Sequence, residues 1–312
     1  MLWKILLAII GAYLVFIIGP AVVASFTIFR EKPGVSFDKL IEPGGAFHAY
    51  AQIMCSAKER LTALPRKSVS CTTDDGLTLG ADYYDPGKER TAIFVHGYRS
   101  DPMANFAVQA DVFARHGYNL LIVSQRGDGS GAHVPTSMGL KEQFDVICWL
   151  DWVLKQPGVN HTVVYGMSMG GATLAYASDK LDPAVTDAIV IDCGYGSPYE
   201  QIMDDCRKRH LPGPLLLPVV RLISKARFKI DIRQRTEDSL KNAAVPCYFL
   251  HGTNDKKVPF VRGRNCFEAC TSRKAFFAAE GADHTEAFLI DPARAEEELF
   301  RFIQPSEIKE EN

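Results

Sequence analysis

The sequence has no strong net charge, no internal repeat and no low-complexity tract. Lys and Arg number 35 against 37 Asp and Glu, so the formal net charge at pH 7 is −2. Such a balance provides no basic field that could neutralise nucleic-acid phosphates, and nucleic acid is not expected as a partner. Disordered, collagen-like and coiled-coil proteins are also excluded, because 47% of the residues are hydrophobic and the 17 prolines are spread along the chain.

Eight cysteines are present, but no two of them form a Cys-x-x-Cys pair. Several lie in apolar stretches, as Cys148 and Cys247 do, which is typical of buried free thiols. The cysteines therefore leave the redox compartment open. The length of 312 residues predicts one large α/β domain with appended segments.

The first 30 residues differ from the rest of the chain. No charged residue occurs from Ile5 to Phe29, and a helix over this stretch, at about 1.5 Å per residue, could cross about 30 Å of hydrocarbon. We therefore predict a single membrane-spanning helix within residues 1–30, which would locate the protein at a membrane. A cleaved signal peptide is the alternative, since Lys4 precedes an apolar run that breaks at Pro20, and a core helix is a further one.

Basic residues flank this segment on both sides, with Lys4 before it and Arg30 and Lys32 after it, so the side of the membrane is not defined. Residues 31–65 are predicted to form a juxtamembrane segment, because apolar residues recur at helical spacing from Ala46 to Leu64. This helix is expected to cover the first strands of the domain that follows.

Short apolar runs alternate with helical stretches over residues 66–305, a rhythm typical of a largely parallel sheet flanked by helices. Asp74-Asp75-Gly76 separates the first two runs, which predicts an antiparallel hairpin at the start of the sheet. The predicted strands are Lys67–Thr73, Leu77–Tyr84, Thr91–Val95, Asn119–Ser124, Thr162–Tyr165, Val185–Ile191, Pro246–Leu250 and Lys274–Ala278. The predicted helices are Met103–Arg115, Leu140–Lys155, Met169–Asp179, Phe260–Thr271 and Asp291–Ile303. Residues 306–312 are left as a tail.

The alternation of strands and helices is interrupted once. About fifty residues separate the strand ending at Ile191 from the strand beginning at Pro246. That is too long for an ordinary crossover connection. We predict a cap inserted at about residues 194–243, over the carboxyl edge of the sheet.

The motif with the clearest chemical meaning is Gly166-Met167-Ser168-Met169-Gly170. A β-branched and aromatic run precedes it and small residues follow, so we predict a sharp turn from a strand into a helix. Such a turn strains the backbone of the serine and holds its hydroxyl above the sheet. Ser168 is therefore the predicted nucleophile, near the positive end of the helix dipole.

A serine hydroxyl needs a base to accept its proton and an acid to orient that base. His284 and Asp255 each follow a predicted strand, and we predict them as base and acid. The chain order Ser, Asp, His is typical of a hydrolase with this kind of turn. Asp192 and Asp283 are alternatives for the acid, and His251 is interpreted as a strand-end or loop histidine.

An oxyanion intermediate requires two hydrogen-bond donors that are already in place. The backbone N–H of Met169 is the first predicted donor, and the backbone N–H of Tyr98, in the loop His96-Gly97-Tyr98, is the second. A plain loop with a turn glycine is the alternative at this second position. The glycine-rich loop at 125–131 lacks the lysine and the spacing of a phosphate loop, and its Arg126 is predicted to be held by a carboxylate.

Five motifs together resemble those of the α/β-hydrolase superfamily, over about residues 67–303. They are His96-Gly97-Tyr98, Arg126-Gly127-x-Gly129, Gly166-x-Ser168-x-Gly170, His251-Gly252-x-x-Asp255-x-x-Val258-Pro259 and Asp283-His284. Two further motifs are similar to bacterial membrane-anchored hydrolases of the serine-peptidase-like and cinnamoyl-esterase-like kind. They are Asp192-Cys193-Gly194-Tyr195 and Asp283-His284-x-Glu286-Ala287.

The resemblance implies an α/β-hydrolase fold with a mostly parallel, eight-stranded sheet. It also implies Ser168, Asp255 and His284 as a catalytic triad, with Tyr98 and Met169 as the oxyanion donors. One residue departs from the family pattern: Asp128 stands where many relatives carry histidine, so the substrate contacts of those relatives are not transferred to this chain.

These residues predict a serine hydrolase that cleaves a carboxylic ester through an acyl-enzyme on Ser168, with His284 as general base and with amides left open as substrates. The chemistry requires no metal and no organic cofactor. Two alternatives remain: an acyltransferase or thioesterase that uses the same nucleophile, and a non-catalytic, membrane-tethered binding protein.

The predicted cap is basic and apolar. Between Glu200 and Arg235 it carries nine Lys and Arg against four acidic residues, and it includes Leu215-Leu216-Leu217. This composition favours an amphiphilic or anionic substrate drawn from an adjoining membrane surface. A solvated basic face with leucines packed on the sheet is the alternative.

Overall fold

A computed structural model describes residues 1–128 and 134–304. Gly129 of the glycine-rich loop and the predicted tail at 306–312 lie outside the described residues. The domain boundaries given above stay predictions.

Eight strands form one sheet, in the order β1-β2-β4-β3-β5-β6-β7-β8. β1 pairs antiparallel with β2, and β2 with β4, whereas all the other neighbouring pairs are parallel. The strands are Arg66–Thr72 (β1), Thr78–Tyr84 (β2), Arg90–Val95 (β3), Tyr118–Val123 (β4), His161–Met167 (β5), Thr186–Asp192 (β6), Cys247–Gly252 (β7) and Lys274–Ala279 (β8). The predicted mostly parallel, eight-stranded sheet and its opening hairpin are confirmed.

Helices cover both faces of the sheet. They include Ala51–Thr62 (α4), Pro102–Arg115 (α5), Glu142–Leu154 (α6), Met169–Ala177 (α7), Phe260–Ala269 (α11) and Pro292–Ile303 (α12). On one face, Phe94 of β3 packs with Phe113 of α5, and on the other, Ile93 and Val164 pack with Trp149 of α6. Parallel strands that are covered on both faces become apolar throughout, which explains the continuous apolar runs of the sequence.

Four helical segments lie between β6 and β7, within the predicted insertion at 194–243. They are Pro198–Lys208 (α8), Gly213–Ile223 (α9), a π-helical turn at Ser224–Phe228 and Thr236–Leu240 (α10). We call residues 194–243 the insert. Its Ile202 and Leu217 are buried in the same apolar cluster as Met169, the residue after the predicted nucleophile.

The prediction of one membrane-spanning helix in residues 1–30 is corrected by the structure. The apolar stretch forms α1 (Leu2–Tyr13), a π-helical turn (Leu14–Ile18) and α2 (Gly19–Phe29). Within the described part of the chain, no helix combines the length and the apolar character that crossing a membrane requires. Instead, α2 packs against α9 of the insert and buries Ala21 and Phe29.

The juxtamembrane segment contains a short helix, Phe37–Ile41 (α3), and then α4. A helix was predicted over 46–64. In the structure this range contains a 3₁₀ turn at His48–Tyr50, followed by α4. The apolar spacing accounts for α4, because Met54, Ala57 and Leu61 share its buried side. α4 packs on α5, so it covers the helical layer above the first strands.

Candidate active site

The predicted turn at Ser168 has the geometry that the sequence motif requires. β5 ends at Met167 and α7 begins at Met169, so Ser168 alone connects them, with φ 56° and ψ −111°. Positive φ is rare for a residue with a side chain and marks a strained backbone. The N–H of Ser168 donates to the carbonyl of Asp192 at 2.7 Å, which ties the turn to the end of β6.

Two glycines make this turn possible because the neighbouring backbone leaves no room for a Cβ atom. A Cβ on Gly170 would lie 1.8 Å from the carbonyl oxygen of Val95 at the end of β3. A Cβ on Gly166 would lie 2.3 Å from the carbonyl oxygen of Gly170. Both glycines of the motif are thus required by the close approach of the strand, the turn and α7.

The three side chains predicted as nucleophile, base and acid form one hydrogen-bonded chain. His284 Nε2 lies 3.0 Å from Ser168 Oγ, and His284 Nδ1 lies 2.7 Å from Asp255 Oδ2. Because a carboxylate only accepts hydrogen bonds, Nδ1 carries the proton and Nε2 is free to accept one from the Ser168 hydroxyl. The juxtaposition follows from topology: Asp255 and His284 lie just beyond the carboxyl ends of β7 and β8, which are adjacent and parallel.

Burial and hydrogen bonding set the charge states of His284 and Asp255. Burial lowers the pKa of His284 below its ordinary value, against the opposing effect of Asp255. Burial alone would raise the pKa of Asp255, but hydrogen bonds from His251 and His284 hold it below the usual range of an aspartate. At neutral pH the site therefore holds a neutral imidazole beside an ionised carboxylate.

The alternative acids do not reach the imidazole ring. Asp192 is fully buried and accepts a hydrogen bond from the Tyr165 hydroxyl at 2.8 Å, and burial raises its pKa to about 6. Asp283 forms an ion pair with Lys256 at 2.9 Å and accepts the backbone N–H of His284. Of the three candidate acids, the structure brings only Asp255 to the ring.

The loop that carries the second predicted oxyanion donor lies against the turn. A Cβ on Gly97 would lie 3.3 Å from the Cβ of Ser168, and the N–H of Gly97 donates to Asn105 Oδ1 at 2.8 Å. Within the described residues, the backbone N–H groups of Tyr98 and Met169 donate to no acceptor. Two unengaged donors thus belong to the segments that meet at Ser168, as an oxyanion site requires.

The same loop is tied to the N-terminal segment. The Tyr98 hydroxyl donates to the carbonyl of Ile28 at 2.7 Å, and the Arg99 guanidinium donates to the carbonyl of Thr27 at 2.6 Å. The last turn of α2 therefore contacts the residues that follow β3. Sequence reasoning did not anticipate this contact, because the two segments lie about 70 positions apart.

His251 is a site residue that sequence reasoning interpreted as merely structural. Its Nε2 lies 2.9 Å from the carbonyl oxygen of Val258 and 3.3 Å from Asp255 Oδ2. The ring fills the space beside Gly263, where a Cβ would lie 2.3 Å from His251 Nδ1. The sequence feature that could have marked His251 as a site residue is its position at the end of a strand, four residues before the predicted acid.

One group of potential metal ligands occurs among the described residues, and it overlaps the site. One ligand atom from each of Cys193, Asp255 and His284 lies within 4.8 Å of the others. Burial raises the pKa of the Cys193 thiol well above its ordinary value, so the thiolate that a metal would need is disfavoured. Since both ring nitrogens of His284 already face Asp255 and Ser168, the arrangement favours proton transfer over metal binding.

The prediction that a carboxylate holds Arg126 is confirmed. Its Nε donates to Asp145 at 2.7 Å and its Nη1 to Asp75 at 2.9 Å. This ion network ties the loop after β4 to α6 and to the first hairpin. Asp128, the departure from the family pattern, lies 3.2 Å from His96 Nε2.

Comparison with known proteins finds a family and relatives that match part of the chain. A model of the X-Pro dipeptidyl-peptidase (S15) family matches residues 75–206, less than half of the chain. The chain is 26% identical to human Protein ABHD12B over 182 residues, covering 56% of this chain and 48% of that protein. It is 22% identical to the lysophosphatidylserine lipase ABHD12 of Mus musculus over 197 residues, covering 59% and 46%. The chain thus spans about half the length of these two curated relatives.

The fold has a counterpart among solved structures. The Pyrococcus furiosus esterase Pf2001 superimposes with a TM-score of 0.67 at 18% identity, covering 89% of this chain and 98% of that one. The likeness extends over nearly the whole esterase. This likeness shows that the chain has the α/β-hydrolase fold.

Proposed function

We propose that the chain is a serine hydrolase that cleaves a carboxylic ester through an acyl-enzyme on Ser168. The observation that supports this most directly is the hydrogen-bonded chain from Ser168 Oγ through His284 to Asp255, at 3.0 and 2.7 Å. A serine held at a strained turn and joined to a neutral imidazole has the arrangement that nucleophilic acyl transfer needs.

In the proposed reaction, His284 Nε2 takes the Ser168 proton as Oγ attacks the ester carbonyl. The tetrahedral oxyanion accepts hydrogen bonds from the backbone N–H groups of Met169 and Tyr98. His284 then returns the proton to the leaving alcohol, which departs and leaves the acyl group on Ser168. A water molecule then attacks the acyl-enzyme as His284 takes its proton, and His284 returns that proton to Ser168 Oγ as the acid is released, while Asp255 stabilises the imidazolium at both steps.

An acyl ester is the substrate class that the relatives favour, since one is named a lysophosphatidylserine lipase and a structural neighbour is named an esterase. Amide hydrolysis is the second candidate, because the S15 peptidase model matches residues 75–206. Turnover of a p-nitrophenyl ester against an amino-acid p-nitroanilide separates the two. An added alcohol or thiol acceptor tests the acyltransferase alternative, and an acyl-thioester substrate tests the thioesterase one.

We expect a fluorophosphonate probe to label Ser168 at a rate that depends on pH. Only neutral imidazole accepts the serine proton, so labelling is fast at pH 7 to 8 and falls as pH drops through the pKa of His284. Burial lowers that pKa, so the midpoint should lie below the ordinary histidine value of about 6.5. The measurement is the labelling rate from pH 4.5 to 8, with the labelled peptide identified by mass spectrometry.

Folded protein that takes no label at any pH would contradict the proposal and favour the non-catalytic binding protein. Label on a residue other than Ser168 would contradict the assignment of the nucleophile. Circular dichroism at each pH separates loss of labelling from acid unfolding.

We also propose that the chain associates with a membrane surface through an apolar patch. The patch comprises exposed side chains of residues 1–26 and of α9, namely Leu2, Trp3, Ile5, Leu6, Leu7, Val15, Phe16, Val23, Phe26, Leu215 and Leu222. The two parts adjoin, because α2 packs against α9. An exposed apolar surface of this extent marks an interaction site, and nearby Lys225, Arg227 and Lys229 suit anionic headgroups.

Charge introduced on the α9 part of the patch is expected to weaken vesicle binding. We expect the double variant Leu215→Glu, Leu222→Glu to lower the fraction of protein that sediments with anionic phospholipid vesicles by about tenfold, since each leucine loses its apolar contribution. Val261→Glu is the matched control, because Val261 is 53% exposed but lies on α11. Equal binding by the double variant and the control would contradict the proposed patch.

A further inference from the structure

The carboxyl end of α2 is capped by the loop that carries the second predicted oxyanion donor. The last four carbonyls of a helix have no hydrogen-bond partner within the helix. In α2 these are the carbonyls of Thr27, Ile28, Phe29 and Arg30. Arg99 Nη2 donates to the first and the last of them, at 2.6 and 2.9 Å, and the Tyr98 hydroxyl donates to the second, at 2.7 Å. Two neighbouring side chains of one loop therefore satisfy three of the four carbonyls.

Charge and packing favour this cap. A positive charge is stabilising at the carboxyl end of a helix, where the guanidinium of Arg99 lies. That guanidinium is 4.6 Å from the ring centre of Tyr98, so the two capping side chains support each other. The remaining carbonyl, that of Phe29, accepts the N–H of Thr136 at 3.1 Å, from the loop after β4. The end of α2 is thus bound by the loops that follow two neighbouring strands, β3 and β4.

The chain that follows α2 fixes the far end of the Tyr98 loop. Val35 and Ser100 form a parallel β-bridge, and a Cβ on Gly34 would lie 2.4 Å from the carbonyl carbon of Ser100. The N–H of Phe37 donates to Asp101 Oδ2 at 3.2 Å, while Asp101 Oδ1 caps the start of α5. Residues 34–37 and α5 therefore hold this end of the loop between them.

The near end of the loop is fixed beside the nucleophile. The N–H of Gly97 donates to Asn105 Oδ1 at 2.8 Å, and a Cβ on Gly97 would lie 3.3 Å from the Cβ of Ser168. Only Tyr98 and Arg99 lie between the two fixed ends. Arg99 has φ 51°, a left-handed conformation that is uncommon for a residue with a side chain and persists where the surroundings hold it. The contacts with α2 provide that hold.

We propose that the carboxyl end of α2 positions an oxyanion donor: by capping α2, the side chains of Tyr98 and Arg99 hold the Tyr98 N–H toward the oxyanion that forms at Ser168. This inference rests on the proposed hydrolase function. Hydrogen-bond donors stabilise a transition state best when they are in place before the charge develops. Both side chains are positioning groups, because they act through the backbone of the loop and not by contact with the ester.

Removal of the capping groups should lower kcat and leave KM nearly unchanged. We expect Tyr98→Phe and Arg99→Gln each to lower kcat about tenfold, and the double variant about a hundredfold, the loss typical of one absent oxyanion donor. Arg99→Lys keeps a cation at the end of α2 and should recover part of the loss. KM should stay within about twofold, since the bound ester carries no oxyanion. The measurement is p-nitrophenyl ester hydrolysis by full-length protein.

Each variant has a matched control elsewhere in the chain. Tyr176→Phe removes a hydroxyl that donates to the carbonyl of Gln234, also at 2.7 Å. Arg273→Gln removes a guanidinium that donates to the carbonyl of Phe302, in the last turn of α12, at 2.8 Å. Arg273 precedes β8 and so lies at the amino edge of the parallel strands, whereas Ser168 follows the carboxyl end of β5. Both controls should keep kcat within about twofold of the unmodified chain.

Affinity for a transition-state analogue separates positioning from a loss of folded protein. The carbonyl carbon of an alkyl trifluoromethyl ketone forms a bond with Ser168 Oγ as the serine proton passes to His284. The ketone oxygen becomes an anion that accepts the N–H groups of Tyr98 and Met169. Its inhibition constant should therefore rise about tenfold in Tyr98→Phe and in Arg99→Gln, and it should not change in the two controls.

A fall in kcat with an unchanged inhibition constant would mean less active protein and would overturn the positioning role. Values of both constants equal to those of the controls would overturn it as well. If the unmodified chain hydrolyses no ester, the hydrolase proposal fails separately, and backbone hydrogen exchange over residues 97–101 tests the role of α2. Faster exchange in Arg99→Gln than in Arg273→Gln supports α2 as the element that holds this loop, and equal exchange overturns it.

Discussion

Replacing Ser168 with alanine is expected to lower kcat/KM for an ester by at least about three orders of magnitude, which corresponds to about 4 kcal/mol of lost transition-state stabilisation. Without Oγ no acyl-enzyme forms, and only direct attack by water remains. The loss should be in kcat more than in KM, because the hydroxyl contributes mainly to the chemical step. The measurement is p-nitrophenyl ester hydrolysis, with short and long acyl chains, by full-length protein.

Ser70→Ala is the matched control, since Ser70 is an exposed serine of the edge strand β1. Its activity should stay within about twofold of the unmodified chain, as is usual for a surface substitution. Thermal unfolding of both variants checks that the fold is retained. Activity above about one per cent in folded Ser168→Ala would show that the ester is cleaved by another group.

Asp255→Asn is expected to lower kcat by about 10³ to 10⁴, and the surroundings of Asp255 explain why. The backbone N–H groups of Lys257 and Val258 donate to Asp255 Oδ1 at 2.8 and 2.7 Å. In the asparagine variant these two donors attract the amide oxygen, which turns the NH₂ group toward His284. The ring then accepts at Nδ1 and carries its proton on Nε2, so it cannot take the proton of Ser168.

The control for this variant is Asp283→Asn, which changes the carboxylate next to His284 in sequence. Asp283 pairs with Lys256 and does not contact the imidazole ring, so we expect a loss of less than about tenfold. A larger loss for Asp283→Asn than for Asp255→Asn would contradict the assignment of the acid. The pH profile of each variant adds a readout, because loss of the orienting carboxylate should change the acidic limb.

The strand pattern and the nucleophile turn were predictable because both depend on neighbours in sequence. Continuous apolar runs follow from strands that are covered on both faces, and the runs at Thr91–Val95 and Asn119–Ser124 match β3 and β4 to within about one residue. The glycines of the turn are required by contacts within a few residues of Ser168 and with the end of β3. Local patterns of this kind carry most of the information about secondary structure.

The choice of acid depended on contacts between distant segments. Asp192, Asp255 and Asp283 all follow predicted strands, and the sequence favoured Asp255, but the approach of Asp255 to the His284 ring is visible only in the fold. The order of strands in the sheet brings β7 and β8 together and points Asp255 at the ring. For the same reason His251 was interpreted as structural, since its approach to Asp255 becomes visible only when the loop is folded.

The N-terminal segment shows where local reasoning failed. Hydropathy alone predicted one spanning helix, whereas in the structure α2 packs against α9, which lies about 190 residues further along the chain, and the Phe29 ring contacts Phe228 in the π-helical turn after α9. Such packing competes with the local preference and cannot be read from a window of apolar residues.

By itself, the sequence determined that this protein has a parallel sheet, a strained serine turn and an acid and a histidine placed beyond later strands. Those features arise from backbone preferences and apolar periodicity over short stretches. Only the tertiary structure decided which carboxylate meets the imidazole and how α2 is tied to the loop at Tyr98. Each of these depends on side chains from separate elements meeting at one point, and only the packing of those elements brings them together.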